Sequence, residues 1–188
     1  MSKKRDDSYF AAGRRKRNKN MIIVAAIVIP VVLIGVVAAL FIKPASAQPI
    51  DGIECNVNEF NTHHIHAHLD VFIDGKPQQV PARIGIMSTP SCLYWLHTHT
   101  TDGIIHVEAP AARTFTLGQF LDIWNQTHHD SSVFDSLANK PVSAYVNGTK
   151  VSGEYRDVQL QSRQEIAVVI GSAPSDIPSR YPSSGPPS

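Results

Sequence analysis

The chain has 188 residues, of which 43% are hydrophobic, so it can bury one sizeable core and leaves little material for a second. Its net charge of +1 hides an asymmetry: eight of the seventeen basic residues lie before residue 20, and the rest of the chain carries nine basic and fourteen acidic residues. The acidic main part argues against nucleic acid as a partner.

A basic tail and a long apolar run open the chain. Residues 1–20 are basic, and residues 21–42 contain no charged side chain. A helix rises about 1.5 Å per residue and the hydrocarbon core of a bilayer is about 30 Å thick, so this run predicts a single transmembrane helix. The basic excess ahead of the run predicts a cytoplasmic N-terminus. We therefore expect a single-pass protein of the cell membrane with an extracytoplasmic C-terminal domain.

An alternative interpretation is a cleaved signal peptide. Ala45, Ser46 and Ala47 form the small-x-small pattern of a signal-peptidase site. The apolar run is longer than the usual signal core of about 7–15 residues, which favours an anchor over cleavage at Ala47. Residues 43–50 then form a linker, and both interpretations export the same domain.

Residues 51–171 alternate between polar and apolar side chains in the manner of β-strands. The segment "HIHAHLDVFI" predicts one strand, and Asp74-Gly75 after it predicts a two-residue hairpin turn. A second hairpin is predicted at Asn147-Gly148. The segments "CLYWLHTH", "GIIHVEA" and "RQEIAVVIG" predict three more strands.

One amphipathic helix is predicted from "FTLGQFLDIWN". Thr116 can cap it, with Gln119 as the capping-box partner. The expected fold class is α+β, a mostly antiparallel β-sheet domain with one packed helix, preceded by the transmembrane helix. Residues 172–188 are rich in proline and serine, and we expect them to form a disordered tail.

The interpretation of the two cysteines depends on the compartment in which the domain is expected to lie. In an oxidising environment an even pair favours a disulfide, here between Cys55 and Cys92. The alternative is that their thiolates bind metal.

Seven of the nine histidines lie in two short segments. Because side chains alternate along a strand, His64, His66 and His68 share one face. His97 and His99 share a face of their strand, and a short turn would bring His106 beside them. The candidate metal ligands are His64, His66, His68, His97, His99 and His106. A site rich in imidazole favours Cu(II) or Zn(II).

Other polar residues receive weaker assignments. Asp70, Asp102 and Glu108 could orient the ligand rings, although each is also explained as a plain surface acid. His63 has the wrong parity for the shared face. His128 and His129 follow the predicted helix in a polar segment and are not expected to bind metal.

Three functions remain open from the sequence. The first is a membrane-anchored, extracytoplasmic metal-binding protein that sequesters, delivers or senses copper or zinc, with a possible membrane-protein partner. The second is a metal-dependent hydrolase or oxidase with an open coordination position, for which Glu108 is the best candidate general base. The third is a structural or partner-binding ectodomain. No HExxH motif, nucleophile elbow or P-loop is present in the sequence.

Four segments together resemble a family of small exported or membrane-anchored proteins. They are "HIHAHL", "CLYWLHTH", "GIIHVE" and "FTLGQF", and the resemblance covers about residues 54 to 171. It implies the six candidate histidines and both cysteines, but no particular activity. The family often has an acid directly after the HTH unit, where this chain has Thr100.

Overall fold

The computed structural model describes residues 22–33, 47–128 and 130–186. The chain divides into two compact units, Met1–Ala45 and Ser46–Ser188. In the first unit, residues 22–33 form helix α1, whose apolar side chains are exposed. Within the described ranges, no helix is both long enough and apolar enough to cross a bilayer.

Much of what the sequence predicts for the N-terminal part concerns residues outside the described ranges. The basic tail 1–20 lies outside the described residues, as do residues 21 and 34–42 of the predicted transmembrane run and residues 43–46 of the predicted linker.

The described part of the second unit contains ten strands, two α-helices and one 3-10 turn, Tyr155–Asp157. The strands are β1 Cys55–Asn56, β2 His63–Ile73, β3 Lys76–Gln78, β4 Ile86–Ser88, β5 Ser91–Tyr94, β6 Leu96–His97, β7 Ile104–Ala109, β8 Val142–Val146, β9 Thr149–Lys150 and β10 Gln164–Ile170. The helices are α2 Leu117–His128 and α3 Ser131–Asn139.

The strands form a large and a small sheet. The seven-stranded sheet has the order β6-β7-β2-β10-β8-β9, with β3 also paired to β2. The three-stranded sheet has the order β1-β5-β4. Every pair is antiparallel except β2 with β10, which is parallel. The predicted α+β class with a mostly antiparallel sheet is therefore confirmed.

Both predicted hairpin turns are confirmed. Asp74 and Gly75 have φ of 50° and 77°, and Asn147 and Gly148 have φ of 48° and 81°. Positive φ at both central residues is the backbone of a type I′ turn, which matches the twist of the strands that it joins and is favoured by Asp-Gly and Asn-Gly.

Helix α2 closes the core on one face of the large sheet. Its stripe of Leu117, Phe120, Leu121 and Trp124 is almost completely buried, as the helical spacing predicts. The predicted capping box is also present: the Gln119 backbone N–H donates to Thr116 Oγ1 at 3.3 Å, and the Thr116 backbone N–H donates to Gln119 Oε1 at 3.1 Å.

The prediction of one packed helix is wrong, because the domain contains α3 as well. This helix has nine residues, and the Asp130 side chain caps it by accepting from the Ser132 backbone N–H. Only Val133 of its apolar side chains is fully buried, with Phe134 and Leu137 partly buried against the core. So short an apolar pattern is hard to distinguish from a polar loop.

The segment "CLYWLHTH" does not form one strand. It divides into β5, which pairs in the small sheet, and β6, which pairs with β7 in the large sheet. The tail that was expected to be disordered has no helix or strand through residue 186. Its Ile177 packs against the cluster of Phe72, Ala167 and Val169.

The predicted disulfide joins Cys55 to Cys92, with a sequence separation of 37. It links β1 to β5, the strand that leads directly into β6. In the chain-entropy model, closing such a loop contributes about 4 kcal/mol by restricting the unfolded chain.

We expect the double variant Cys55→Ser/Cys92→Ser to lose about 4 kcal/mol of unfolding free energy. Both tryptophans of the chain, Trp95 and Trp124, are buried in the second unit, so their fluorescence in a urea titration reports on this unit alone. Dithiothreitol should lower the midpoint of the wild type and leave the variant unchanged. Equal midpoints for variant and wild type would contradict the assignment.

Candidate metal centre

A row of histidines crosses three neighbouring strands. In the register of β2 with β7, His66 lies opposite His106, and in that of β7 with β6, His106 lies opposite His97. The same register places Glu108 opposite His64. Residues that are directly opposite have Cβ atoms about 5 Å apart on the same face, so their rings meet.

The five imidazoles and one carboxylate form two overlapping groups. One group is His97, His99, His106 and Glu108, and the other is His64, His66 and His106. In each group, one ligand atom per residue lies within 4.8 Å of the others. The convergence expected from the sequence thus occurs for five of the six candidates. His99 lies just beyond the end of β6, and its Nε2 is 3.2 Å from His97 Nε2.

A backbone carbonyl sets the tautomer of His97. Its Nδ1 lies 2.8 Å from the Tyr94 carbonyl oxygen. A carbonyl oxygen can only accept, so Nδ1 carries the proton and donates it. In the neutral ring, Nε2 then carries no proton, and its lone pair is directed into the cluster. Metal-binding histidines in proteins are commonly oriented in this way, with the other ring nitrogen donating to a carbonyl or a carboxylate.

Glu108 lies at the centre of the cluster and is 3% exposed. Its Oε1 is 3.2 Å from His64 Nε2, 3.3 Å from His106 Nδ1 and 3.9 Å from His97 Nε2. Its Oε2 is buried without a hydrogen-bond partner among the described residues. Within the same residues, the ion-pair partners of Glu108 are all imidazoles, with no lysine or arginine.

Burial and neighbouring charges shift the pKa of three members of this cluster, His97, His99 and Glu108. Burial lowers the pKa of His97 to about 4, and the nearby His99 and His106 add to the effect while the charge of Glu108 opposes it. Burial and the neighbouring His106 also lower the pKa of His99. Burial raises the pKa of Glu108, but the close contact with His106 and the charges of His97 and His64 outweigh it and lower this pKa overall.

A divalent cation fits this set of donors. With metal–nitrogen bonds of about 2.0 to 2.1 Å, two nitrogens of a tetrahedral site are about 3.3 Å apart. The Nε2 atoms are 3.2 Å apart in the pair His97 and His99 and 3.0 Å apart in the pair His64 and His66. The buried carboxylate would also gain a counter-charge, which a buried ionised group needs.

His68 belongs to a different group, with Asp70 and Glu165. Its Nε2–H donates to the Asp102 carbonyl oxygen at 2.9 Å, and its Nδ1 lies 2.9 Å from Glu165 Oε2. Burial lowers the pKa of His68, but the hydrogen bond and charge of Glu165, the charge of Asp70 and the hydrogen bond to Asp102 together raise it by more. His68 is therefore held as the partner of a carboxylate, with both nitrogens engaged.

The other polar residues considered in the sequence analysis lie partly inside and partly outside the cluster. Of the predicted orienting acids, only Glu108 is central to the cluster. Asp70 approaches His68 at 3.8 Å, and the Asp102 carboxylate accepts from the Ile104 backbone N–H. Glu165 was not predicted, although its place beside Gln164 at the start of a strand whose other residues are apolar is a signal. His63 stacks on Phe115 with ring centroids 5.9 Å apart.

His128, expected in a loop, is the exposed last residue of α2. His129 lies outside the described residues.

Comparisons with protein families, with curated proteins and with solved structures found no match for this chain. What the fold and the site define is an α+β protein with a disulfide and with histidine and glutamate clusters that could hold a metal ion.

The depressed pKa of His97 predicts how stability depends on pH without metal. The folded state binds fewer protons than the unfolded state, in which the pKa is near 6.5, so stability is lost as pH falls from about 6.5 to about 4. The contribution of His97 is about 3 kcal/mol at most. Urea titrations in the presence of a chelator, at pH 7 and at pH 4.5, should show a smaller loss in His97→Asn than in the wild type.

Asparagine is chosen because its amide N–H can replace the Nδ1 hydrogen bond to Tyr94. If the variant and the wild type lose the same free energy between the two pH values, His97 does not titrate as described.

Proposed function

We propose that this chain is a membrane-anchored, extracytoplasmic protein that binds copper or zinc in order to sequester, deliver or sense it. The observation that carries the proposal is the buried Glu108 carboxylate. It is surrounded by imidazole nitrogens and has no lysine or arginine among its ion-pair partners in the described residues. A divalent cation would supply the missing positive charge and use the lone pairs of the rings.

Ligand chemistry limits the metal to a few ions. Neutral imidazoles with one carboxylate suit Zn(II) and Cu(II), and the Irving–Williams order favours copper when both compete. Thiolates are not available, because both cysteines are in the disulfide. This supports divalent copper or zinc over Cu(I), which prefers soft sulfur ligands.

The proposed location rests on the sequence and on redox chemistry. Residues 21–42 are long and apolar enough for an anchor, and the basic residues before them favour a cytoplasmic N-terminus. A disulfide is more typical of proteins outside the cytosol. Its partners would then be a metal ion and the membrane, with a membrane protein as a possible recipient.

The position of Glu108 favours binding over hydrolysis. A general base must reach a bound substrate or a water molecule next to it. The Glu108 carboxylate is 3% exposed, and Oε1 is within 3.9 Å of three imidazoles. This surrounding suits a ligand or a counter-charge better than a base.

We expect the full-length chain, purified in detergent and freed of metal, to bind Zn(II) and Cu(II) tightly enough to retain them through gel filtration. His97→Asn should weaken the affinity at least about tenfold, since even residues that only support a ligand change affinity by that much. The matched control is His128→Ala, which changes an exposed histidine at the end of α2. Binding that is absent from the wild type, or equal in all three proteins, would refute the site.

A further inference from the structure

The cluster contains more donors than one ion can use. Five imidazoles and the Glu108 carboxylate converge, whereas a zinc site in a protein usually has about four ligands. An ion held by His97, His99, His106 and Glu108 would leave His64 and His66 outside its shell. Those two rings have their Nε2 atoms 3.0 Å apart, which is itself a ligand spacing.

Two residues lie between the two pairs of rings. His106 belongs to both groups, with ring centroids 4.5 Å from His66 and 4.4 Å from His99. The same oxygen of Glu108, Oε1, is 3.2 Å from Nε2 of His64 in one pair and 3.9 Å from Nε2 of His97 in the other pair. A carboxylate has two oxygens and can bind one metal ion with each.

The second oxygen of Glu108 supports this role. Oε2 is buried and makes no hydrogen bond to any described residue. A buried carboxylate oxygen without a partner is costly, and such an atom calls for an unseen partner. A second cation would satisfy it.

We propose that the cluster is a two-ion centre: a second divalent cation is held by His64 and His66, and Glu108 bridges it to the ion of His97 and His99. This inference rests on the proposed metal binding and extends it. The charge of two ions would be offset in part by Glu108 and by Glu59, whose Oε1 is 3.6 Å from His99 Nε2 at the rim. Bridged ions in protein sites are typically about 3.5 to 4 Å apart.

The test is the amount of metal that each chain retains. The full-length protein in detergent is freed of metal, exposed to excess Zn(II), desalted and analysed for zinc per chain. We expect two ions in the wild type, one in His64→Ala, one in His99→Ala and two in the control His128→Ala. The side chains of His64 and His99 are 36% and 39% exposed, so these substitutions do not open the core.

A second measurement does not depend on any variant being folded. When the wild type is loaded with Cu(II), two bridged ions should couple magnetically, and the electron paramagnetic resonance signal per copper should fall to less than half of that of isolated Cu(II). The His64→Ala protein, where it folds, should give the full signal.

The outcomes separate the two proposals. One zinc per wild-type chain, lost in His97→Asn, overturns the two-ion centre and leaves the proposed function in place. Two ions that both persist in His64→Ala place the second elsewhere, for instance at His68, Asp70 and Glu165, and also overturn it. No retained zinc overturns both proposals.

Discussion

The antiparallel pairing of β2 with β7 is the constraint on which the candidate site depends. It places His66 opposite His106 and Glu108 opposite His64. A slip of one residue would turn these side chains into the core, because the side-chain period of a strand is two. The register is fixed from the other face of the sheet, where Ala67, Leu69 and their neighbours are almost fully buried. The hydrophobic core therefore positions the polar cluster.

The electrostatics of the cluster follow from the same burial. Removing an imidazole from water favours its neutral form, so the pKa of His97 falls and its Nε2 keeps a free lone pair. Burial alone would also neutralise Glu108, but the surrounding rings lower the pKa of this carboxyl and keep it ionised. At neutral pH the protein thus holds the neutral His97 ring beside the ionised Glu108 carboxylate. This combination is unfavourable by itself and becomes favourable around a cation.

Local signals in the sequence predicted the local features of this structure. Alternation placed His106 and Glu108 on one face, Asp-Gly and Asn-Gly gave the two hairpins, and the spacing of apolar residues gave α2. The order of the strands has no local signal. The parallel pairing of β2 with β10 brings Glu165 beside His68 across 97 residues of sequence, and no pattern in either segment predicts that neighbour. Alternation also predicted His99 on the same strand as His97, but that strand, β6, ends at His97.

This pairing explains why His68 differs from the histidines before it. Its Nε2–H donates to the carbonyl of Asp102, in the turn that leads from His99 to β7. The turn packs tightly: Gly103 has φ of 78°, and a Cβ there would lie 2.6 Å from the Leu69 carbonyl oxygen and 2.8 Å from His68 Nε2. Glu165 holds the His68 ring from the other side. In a segment of alternating histidines, His68 therefore fixes the turn that follows His99, whereas His64 and His66 lie in a group with His106 that could hold a metal ion.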